Sequence, residues 1–538
     1  MKKQPLVEKT LENISEDETV QTRSGAIKGK LINGDGFSHY QFLGIPYAKP
    51  PVGSLRFRPP VPVRPWTKTL EADKKGPECY QQNDLLPDEN AAYSEDCLHL
   101  NIYTEDMNHT AKPVMVWIHG GGFILGSGNK YAPLPGLLKE GVIVVTINYR
   151  LASLGFLTFG NDVVSGNMGL KDQALAIQWV KQNIRSFGGN PNKITIFGES
   201  AGGVSVHAHV LSPWNFGQIQ GAIAHSGTML LYNHIKSFGE REEIFAKDAA
   251  TKLGCDEDLN QRTLDCMQSK DIEDIMKMLK NEITDGFLNN KLVYEWRPVI
   301  DNYASNPFLP LDPLEAMQTG VFNQIPFMSG TVKNDGAIIL PTFALTGKTT
   351  KEVKENWGSL GPAMMYSSPN HKVTEEDSLF ANITMKYYNH PQGDSALEQD
   401  QPLLDILSDS VFISPDQKTV QMMSKHSQHV FNYYLTQQTD KSFIGPVLQL
   451  GPEYSPMHGD DLIFLLENYG QKLKFSEEES ALSKLMIKYW TNFAKFGHPT
   501  PSVSDDLPHW DAVTEESHVG NVLDNHLSYK YYARIILS

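Results

Sequence analysis

Short apolar runs alternate along the chain with stretches of helical periodicity. Val114-Met115-Val116-Trp117-Ile118 is one run and ends in glycines, Val142 to Asn148 is a second, and Lys193-Ile194-Thr195-Ile196-Phe197 is a third. Runs of this length suit parallel strands whose two faces are both covered. Between the second and third, Lys171 to Val180 places apolar residues at helical spacing, and Gly188-Gly189-Asn190-Pro191 then closes the unit. Strand, helix, strand predicts a parallel α/β sheet. Upstream, Thr22 to Phe57 reads as short strands and turns punctuated by Gly25, Gly29, Gly34 and Gly36. Downstream, Tyr232 to Gly320 is more helical and polar, an insertion suited to capping a pocket, and Leu482 to Ala494 has the spacing of an amphipathic helix. There is no internal repeat and no linker that divides the chain, so residues 1–538 read as one domain, with 1–20 a loose extension.

The third strand runs into Gly198-Glu199-Ser200-Ala201-Gly202, a Gly-x-Ser-x-Gly sequence, and a helix can follow from Val204 to Leu211. A serine on a sharp strand-to-helix turn stands exposed on strained backbone, and bulky residues at Gly198 and Gly202 would collide across that turn. The position is also a helix N-terminus, which favours developing negative charge. Chance supplies roughly 0.2 such motifs in a chain of this size, so the context decides. The first strand ends in His119-Gly120-Gly121-Gly122-Phe123. Consecutive glycines leave backbone N–H groups free to converge on an oxyanion. Together the two motifs point to acyl transfer through Ser200.

A serine nucleophile needs a base, and the base needs an orienting carboxylate. The chain has 17 histidines, so the residue type alone selects none. With the order Ser, acid, His, the base follows Ser200. His458 qualifies, on the loop Ser455-Pro456-Met457-His458-Gly459-Asp460-Asp461; His225, His371 and His498 read as surface or packing residues. For the acid, Pro326 to Gly330 can end a strand just before Lys333-Asn334-Asp335-Gly336, which makes Asp335 the candidate. Asp301, in Pro298-Val299-Ile300-Asp301, stays a rival, and an ordinary Asx turn would explain either.

Composition adds compartment and excludes some partners. Hydrophobic residues make up 40% and charged residues 20% of the 538, and the net charge is −16. That acidity disfavours nucleic acid and anionic lipid, and no apolar run reaches the ~18 residues of a membrane span. The four cysteines, Cys79, Cys97, Cys255 and Cys266, fall into two local pairs with no Cys-x-x-Cys spacing. Two short-range disulfides imply an oxidising compartment; four separate buried thiols are the alternative. Sequons at Asn13, Asn108 and Asn382 agree with secretion. A secreted protein whose leader is absent is the expectation, and a cytoplasmic one the alternative.

Phe42 to Gly53, Ser94-Glu95-Asp96-Cys97-Leu98, Gly198 to Gly203 and Gly169-Leu170-Lys171-Asp172-Gln173 together resemble the type-B carboxylesterase/cholinesterase family. The likeness covers nearly the whole chain and its pattern is nearest to invertebrate carboxylesterases. It implies an α/β-hydrolase fold, a central, mostly parallel twisted sheet with helices on both faces and helical cap insertions. It also implies Gly121, Gly122 and Ala201 as oxyanion donors and Ser200, Asp335 and His458 as the triad. Asp335 stands where most members have Glu. Disulfides Cys79–Cys97 and Cys255–Cys266, ion pairs Arg56–Glu95 and Arg150–Asp172, and supporting roles for Glu199 and Ser226 follow from the same likeness. No metal or cofactor is implied; the partner is a small-molecule ester. Cholinesterases carry a choline-binding tryptophan inside the first disulfide loop, and here that loop has only Tyr80 and Tyr93. The expectation is therefore an esterase for small to medium hydrophobic esters of xenobiotic, hormone or pheromone type. A cholinesterase-like enzyme, a slow-turnover protein that sequesters esters or organophosphates, and an adhesion role are the alternatives.

Overall fold

A computed structural model describes residues 18–523, except 35, 82–90, 108–110, 232–238, 279–295, 346, 367–373, 389–392, 469–472, 503–506 and 515–520. Asn13, Asn108, His371 and most of the expected N-terminal extension lie outside the described residues.

Ten strands form the main sheet: β1 (Lys30–Gly34), β2 (Phe37–Pro46), β3 (His99–Thr104), β4 (Lys112–Ile118), β5 (Ile143–Ile147), β6 (Gly189–Glu199), β7 (Gly221–His225), β8 (Phe327–Val332), β9 (Val430–Leu435) and β10 (Asn521–Leu523). Their spatial order is β10-β9-β8-β7-β6-β4-β5-β3-β2-β1. The strands from β4 onward are mutually parallel, while β1, β2 and β3 add antiparallel to the edge beside β5.

The unbroken apolar runs have a direct cause. In β4, Val114, Val116 and Ile118 join one core cluster and Met115 and Trp117 another, and all five have 0% exposure. Side chains alternate across a strand, so a strand covered on both faces must be apolar at every position. Helices α1 (Met168–Asn183) and α2 (Ala201–Leu211) contribute to the first cluster, and α3 (Glu477–Phe496) to the second. A third cluster, around Phe343, Trp357, Leu403 and Leu407, gathers the helices that follow β8.

Two expectations need correction. Gly188-Gly189-Asn190-Pro191 does not close the strand–helix–strand unit: Gly188, at φ 85°, ends the turn Ile184–Phe187, and β6 already begins at Gly189. Gly189 pairs with Lys112 and an irregularity in register precedes Ile194, so the polar residues form a bulged strand entrance rather than a loop. Likewise α2 starts at Ala201, directly after Ser200, not at Val204. The insertion holds helices Glu240–Lys252, Gln261–Gln268 and Pro313–Thr319.

Both disulfides form, Cys79–Cys97 and Cys255–Cys266. Arg56 bonds Glu95 at 2.6 and 2.7 Å, and Arg150 bonds Asp172 at 2.8 and 2.7 Å. Among the described residues, no helix is long and apolar enough to cross a membrane.

Candidate active site

The parallel strands deliver the candidate residues at their C-terminal ends, where open α/β sheets bind ligands. Ser200 follows β6 with φ 58° and ψ −122° and caps α2. This is sparsely populated backbone for a residue with a Cβ, and it holds because the surroundings leave no slack. A methyl group added at Gly202 would overlap the carbonyl oxygen of Ile118. The backbone N–H of Ser200 donates to the carbonyl of His225 at 2.9 Å. Ser200 itself stays half-buried, so its hydroxyl is reachable.

Gly121 and Gly122 follow β4 with φ 106° and 62°, and neither is fully buried. Gly121 turns the chain by accepting N–H bonds from Ile124 and Leu125 at 3.0 and 3.1 Å, and a Cβ there would overlap Leu125. Among the described residues, the N–H groups of Gly121, Gly122 and Ala201 donate to no protein acceptor. Phe123, directly after these glycines, is fully buried against Phe156 at 4.8 Å between rings. Phe287 lies outside the described residues, and Trp296 is buried near Phe245.

Asp335 follows β8, and its Oδ1 lies 2.7 Å from Nδ1 of His458. Its Oδ2 accepts the Ser226 hydroxyl at 2.8 Å and the Val332 N–H at 3.0 Å, and its exposure is 0%. The rival Asp301 is equally buried but elsewhere. It accepts the N–H groups of Phe308 and Leu309 at 3.0 and 2.7 Å and pairs with Lys171 at 3.3 Å. The structure brings Asp335, not Asp301, to His458.

His458 is 3% exposed. Its Nε2 lies 3.0 Å from Oε1 of Glu199, and among the described residues no hydrogen bond joins it to the Ser200 hydroxyl. Burial disfavours the imidazolium, but the charges of Glu199 and Asp335 outweigh it and hold the His458 pKa at about 9. Burial pushes Glu199 up to about 7, against the pull of His458. The ring also packs on Phe412, 4.7 Å away.

Sequence reasoning passed over three neighbours. Asp460 braces the His458 loop: its carboxylate accepts Met457 N–H at 2.7 Å, Phe443 N–H at 3.0 Å, Ser442 Oγ at 2.6 Å and Ser455 Oγ at 3.1 Å. Phe412 sits in a π-helical turn, Ser408–Ile413, which no periodicity announces. Asp461 bonds His225 at 2.8 Å. The acidic pair directly after His458-Gly459 was the available signal. His225 is a packing residue, fully buried, and His498 is half-buried against Phe431. Asn382 is exposed on the helix Glu375–Tyr388.

Comparison with known proteins identifies the family. A sequence model of the carboxylesterase family matches residues 16–531. The chain is similar to venom carboxylesterase-6 of Apis mellifera, 33% identical over 496 residues, 89% of this chain and 86% of that protein. It is 34% identical to the pyrethroid hydrolase Ces2e of Rattus norvegicus over 510 residues, 92% of this chain and 84% of that one. With the cocaine esterase of Homo sapiens it shares 33% identity over 511 residues, 92% and 86% of the two chains. The chain belongs to the carboxylesterase family, with the α/β-hydrolase fold, and is a carboxylic ester hydrolase.

Proposed function

We propose that the protein hydrolyses small to medium hydrophobic esters through an acyl-enzyme on Ser200. The carrying observation is the placement of His458: Asp335 holds its Nδ1 at 2.7 Å, while its Nε2 faces Glu199, the residue bonded to Ser200. Nδ1–H donates to Asp335, which leaves Nε2 to take a proton. As Ser200 Oγ attacks the ester carbonyl, its proton passes to Nε2 and the carbonyl oxygen becomes an oxyanion. The N–H groups of Gly121, Gly122 and Ala201 receive that charge. Collapse of the tetrahedral intermediate breaks the C–O bond, and His458 returns the proton to the departing alcohol. Water then repeats the sequence on the acyl-enzyme, releases the acid and restores Ser200. Glu199 lies 3.0 Å from Nε2 without an aligned hydrogen bond to it, so Nε2 stays open to the Ser200 hydroxyl, with which its contact tightens when substrate binds.

The apolar wall that Phe412 sets against His458 supports hydrophobic esters as substrates. Two relatives named as a pyrethroid hydrolase and a cocaine esterase lend support to the same class. The two disulfides support action in an oxidising compartment, outside the cytoplasm.

One observation favours a second reading, slow turnover with sequestration. The carboxylates around His458 keep it protonated near neutral pH, which slows acylation and deacylation alike. Steady-state hydrolysis of p-nitrophenyl esters of rising acyl length, beside Ser200→Ala, decides. Sustained turnover lost in the variant is the expected result. A stoichiometric burst without turnover establishes the second reading, and full activity in Ser200→Ala removes both.

A further inference from the structure

The turn from His119 to Gly126, which carries Gly121 and Gly122, has two limbs, and each is pinned from outside. On the outgoing limb His119 stacks on Tyr149 with ring centroids 4.3 Å apart, and the Tyr149 hydroxyl donates to the His119 carbonyl at 2.9 Å. On the return limb Gln81 grips Gly126. The Gly126 N–H donates to Gln81 Oε1 at 2.7 Å, and Gln81 Nε2 donates to the Gly126 carbonyl at 3.0 Å. Nε2 also donates to the Cys79 carbonyl at 3.2 Å. A backbone N–H only donates, so Gly126 fixes which way the amide points. The Gln81 side chain is buried, and both backbone polar groups of Gly126 are spent on it.

Gly126 passes this grip on to the site. A Cβ on Gly126 would lie 2.5 Å from both the Gly120 carbonyl oxygen and His119 Nδ1, so its backbone is seated on the start of the turn. A Cβ on Gly120 would lie 3.1 Å from Cβ of Ser200. Leu125, the residue before Gly126, donates its N–H to the Gly121 carbonyl at 3.1 Å. A peptide unit is planar and trans, so its C=O and N–H point opposite ways. The Gly120 carbonyl shares a unit with the Gly121 N–H, and the Gly121 carbonyl shares one with the Gly122 N–H. Holding the two carbonyls against Gly126 and Leu125 therefore aims both N–H groups away from the return limb.

We propose that Gln81 is a positioning residue for ester hydrolysis: by clasping Gly126 it fixes the peptide units whose N–H groups, those of Gly121 and Gly122, receive the oxyanion. It acts through Gly126, and among the described residues it bonds none of Ser200, Asp335 and His458. Its own backbone is placed by the first disulfide, since Cys79, two residues earlier, is joined to Cys97. A separate bond fastens the same segment further along the return limb, where Asn129 Nδ2 donates to the Gly76 carbonyl at 2.8 Å. The inference rests on the N–H groups of Gly121 and Gly122 being oxyanion donors.

Gln81→Met keeps the length of the side chain and removes its hydrogen bonds. Its kcat for p-nitrophenyl acetate should fall about tenfold, less than the roughly 10² to 10³ that loss of a whole donor costs. KM should stay within about twofold, because the lost interaction belongs to the transition state. The readout that a merely structural role would not move is inhibition by octyl trifluoromethyl ketone, whose adduct with Ser200 bears an oxyanion, beside octyl ethyl ether, which bears none. The ketone should weaken about tenfold and the ether should not. Gln81→Glu keeps an oxygen for the Gly126 N–H but loses both donated bonds, so it should show the same signature and supplies the test should Gln81→Met not fold. Asn129→Ala loosens the same two segments at Gly76 and should lower the melting temperature while kcat and ketone affinity stay at wild-type values. Unchanged kcat in the folded Gln81 variants, equal weakening of ketone and ether, or the ketone signature in Asn129→Ala overturns the proposal. Failure of the underlying reading shows in the wild type instead, where the ketone would bind no better than the ether.

Discussion

Nε2 of His458 and Oε1 of Glu199 lie 3.0 Å apart, in a site where Glu199 precedes Ser200 in the chain. The contact is one of charge, since Oε1 of Glu199 accepts no aligned hydrogen bond among the described residues. The pair is the resting arrangement, and it holds His458 at about 9, well above the ordinary imidazole value of about 6.5. As the proposed base, His458 works only when deprotonated. Esterase kcat/KM should therefore keep rising with pH through neutrality and level off near 9. Glu199→Gln removes the charge that stabilises the imidazolium, so the acid limb should fall by about one unit. A pH profile from 5 to 10 checks this, and an unmoved limb would show that Glu199 does not control the base.

The two candidate acids separate by experiment as they do in space. Asp335→Asn keeps a similar shape but cannot hold the Nδ1–H tautomer as a carboxylate does, so kcat should drop by about 10³ to 10⁴ with thermal stability largely kept. Asp301→Asn should do the opposite. It weakens a fully buried pair with Lys171 at 3.3 Å and two backbone bonds, at a cost of up to about 3–5 kcal/mol, and leaves kcat of the folded fraction near wild type. Paired melting curves and kcat measurements would contradict the assignment if the two effects were exchanged.

Much of this was legible in the chain, and the reasons for the exceptions are physical. The central strands announced themselves because burial on both faces demands apolar residues at every position, as in Val114 to Ile118. Ser200 was legible because a strained turn crowded by backbone requires glycines at fixed offsets. Asp335 and Asp301 were not separable, since each is a buried carboxylate bonded to nearby N–H groups and only the fold decides which one meets a histidine 123 residues further on. The Glu199–His458 contact and the His225–Asp461 pair join residues 259 and 236 positions apart, respectively. Such spacings leave no local trace.

Two glycines should prove intolerant for different reasons. Gly202→Ala drives a methyl group into the Ile118 carbonyl at the point where β4 and α2 meet. Both partners there are rigid backbone, so the variant should be destabilised by several kcal/mol, as overpacking at an unyielding site requires, and expression should fall. Gly121→Ala adds a strained φ of 106° to an overlap with Leu125. That loop lies at the site rather than under it. The larger loss should be in kcat, about 10² or more if its N–H is an oxyanion donor. Equal activity per folded molecule in Gly121→Ala would remove Gly121 from that role.

Arg150 and Asp172 make a buried pair whose value lies in completeness. Arg150 gives Asp172 three bonds, from Nε at 2.8 Å, a terminal nitrogen at 2.7 Å and its backbone N–H at 3.0 Å, and a fourth goes to the Arg58 carbonyl at 2.8 Å. The side chains are 4% and 0% exposed. Either charge alone would be stranded in the core, so Asp172→Leu or Arg150→Met should each cost about 3–5 kcal/mol. Arg150→Lys should be nearly as harmful, because an ammonium cannot reproduce the two-pronged contact. The double variant Arg150→Met/Asp172→Leu removes both charges together and should recover much of the loss. Denaturant melts of the four variants test the cycle. Additive losses in the double variant would mean that the pair stabilises through packing around each side chain and not through the charges they share.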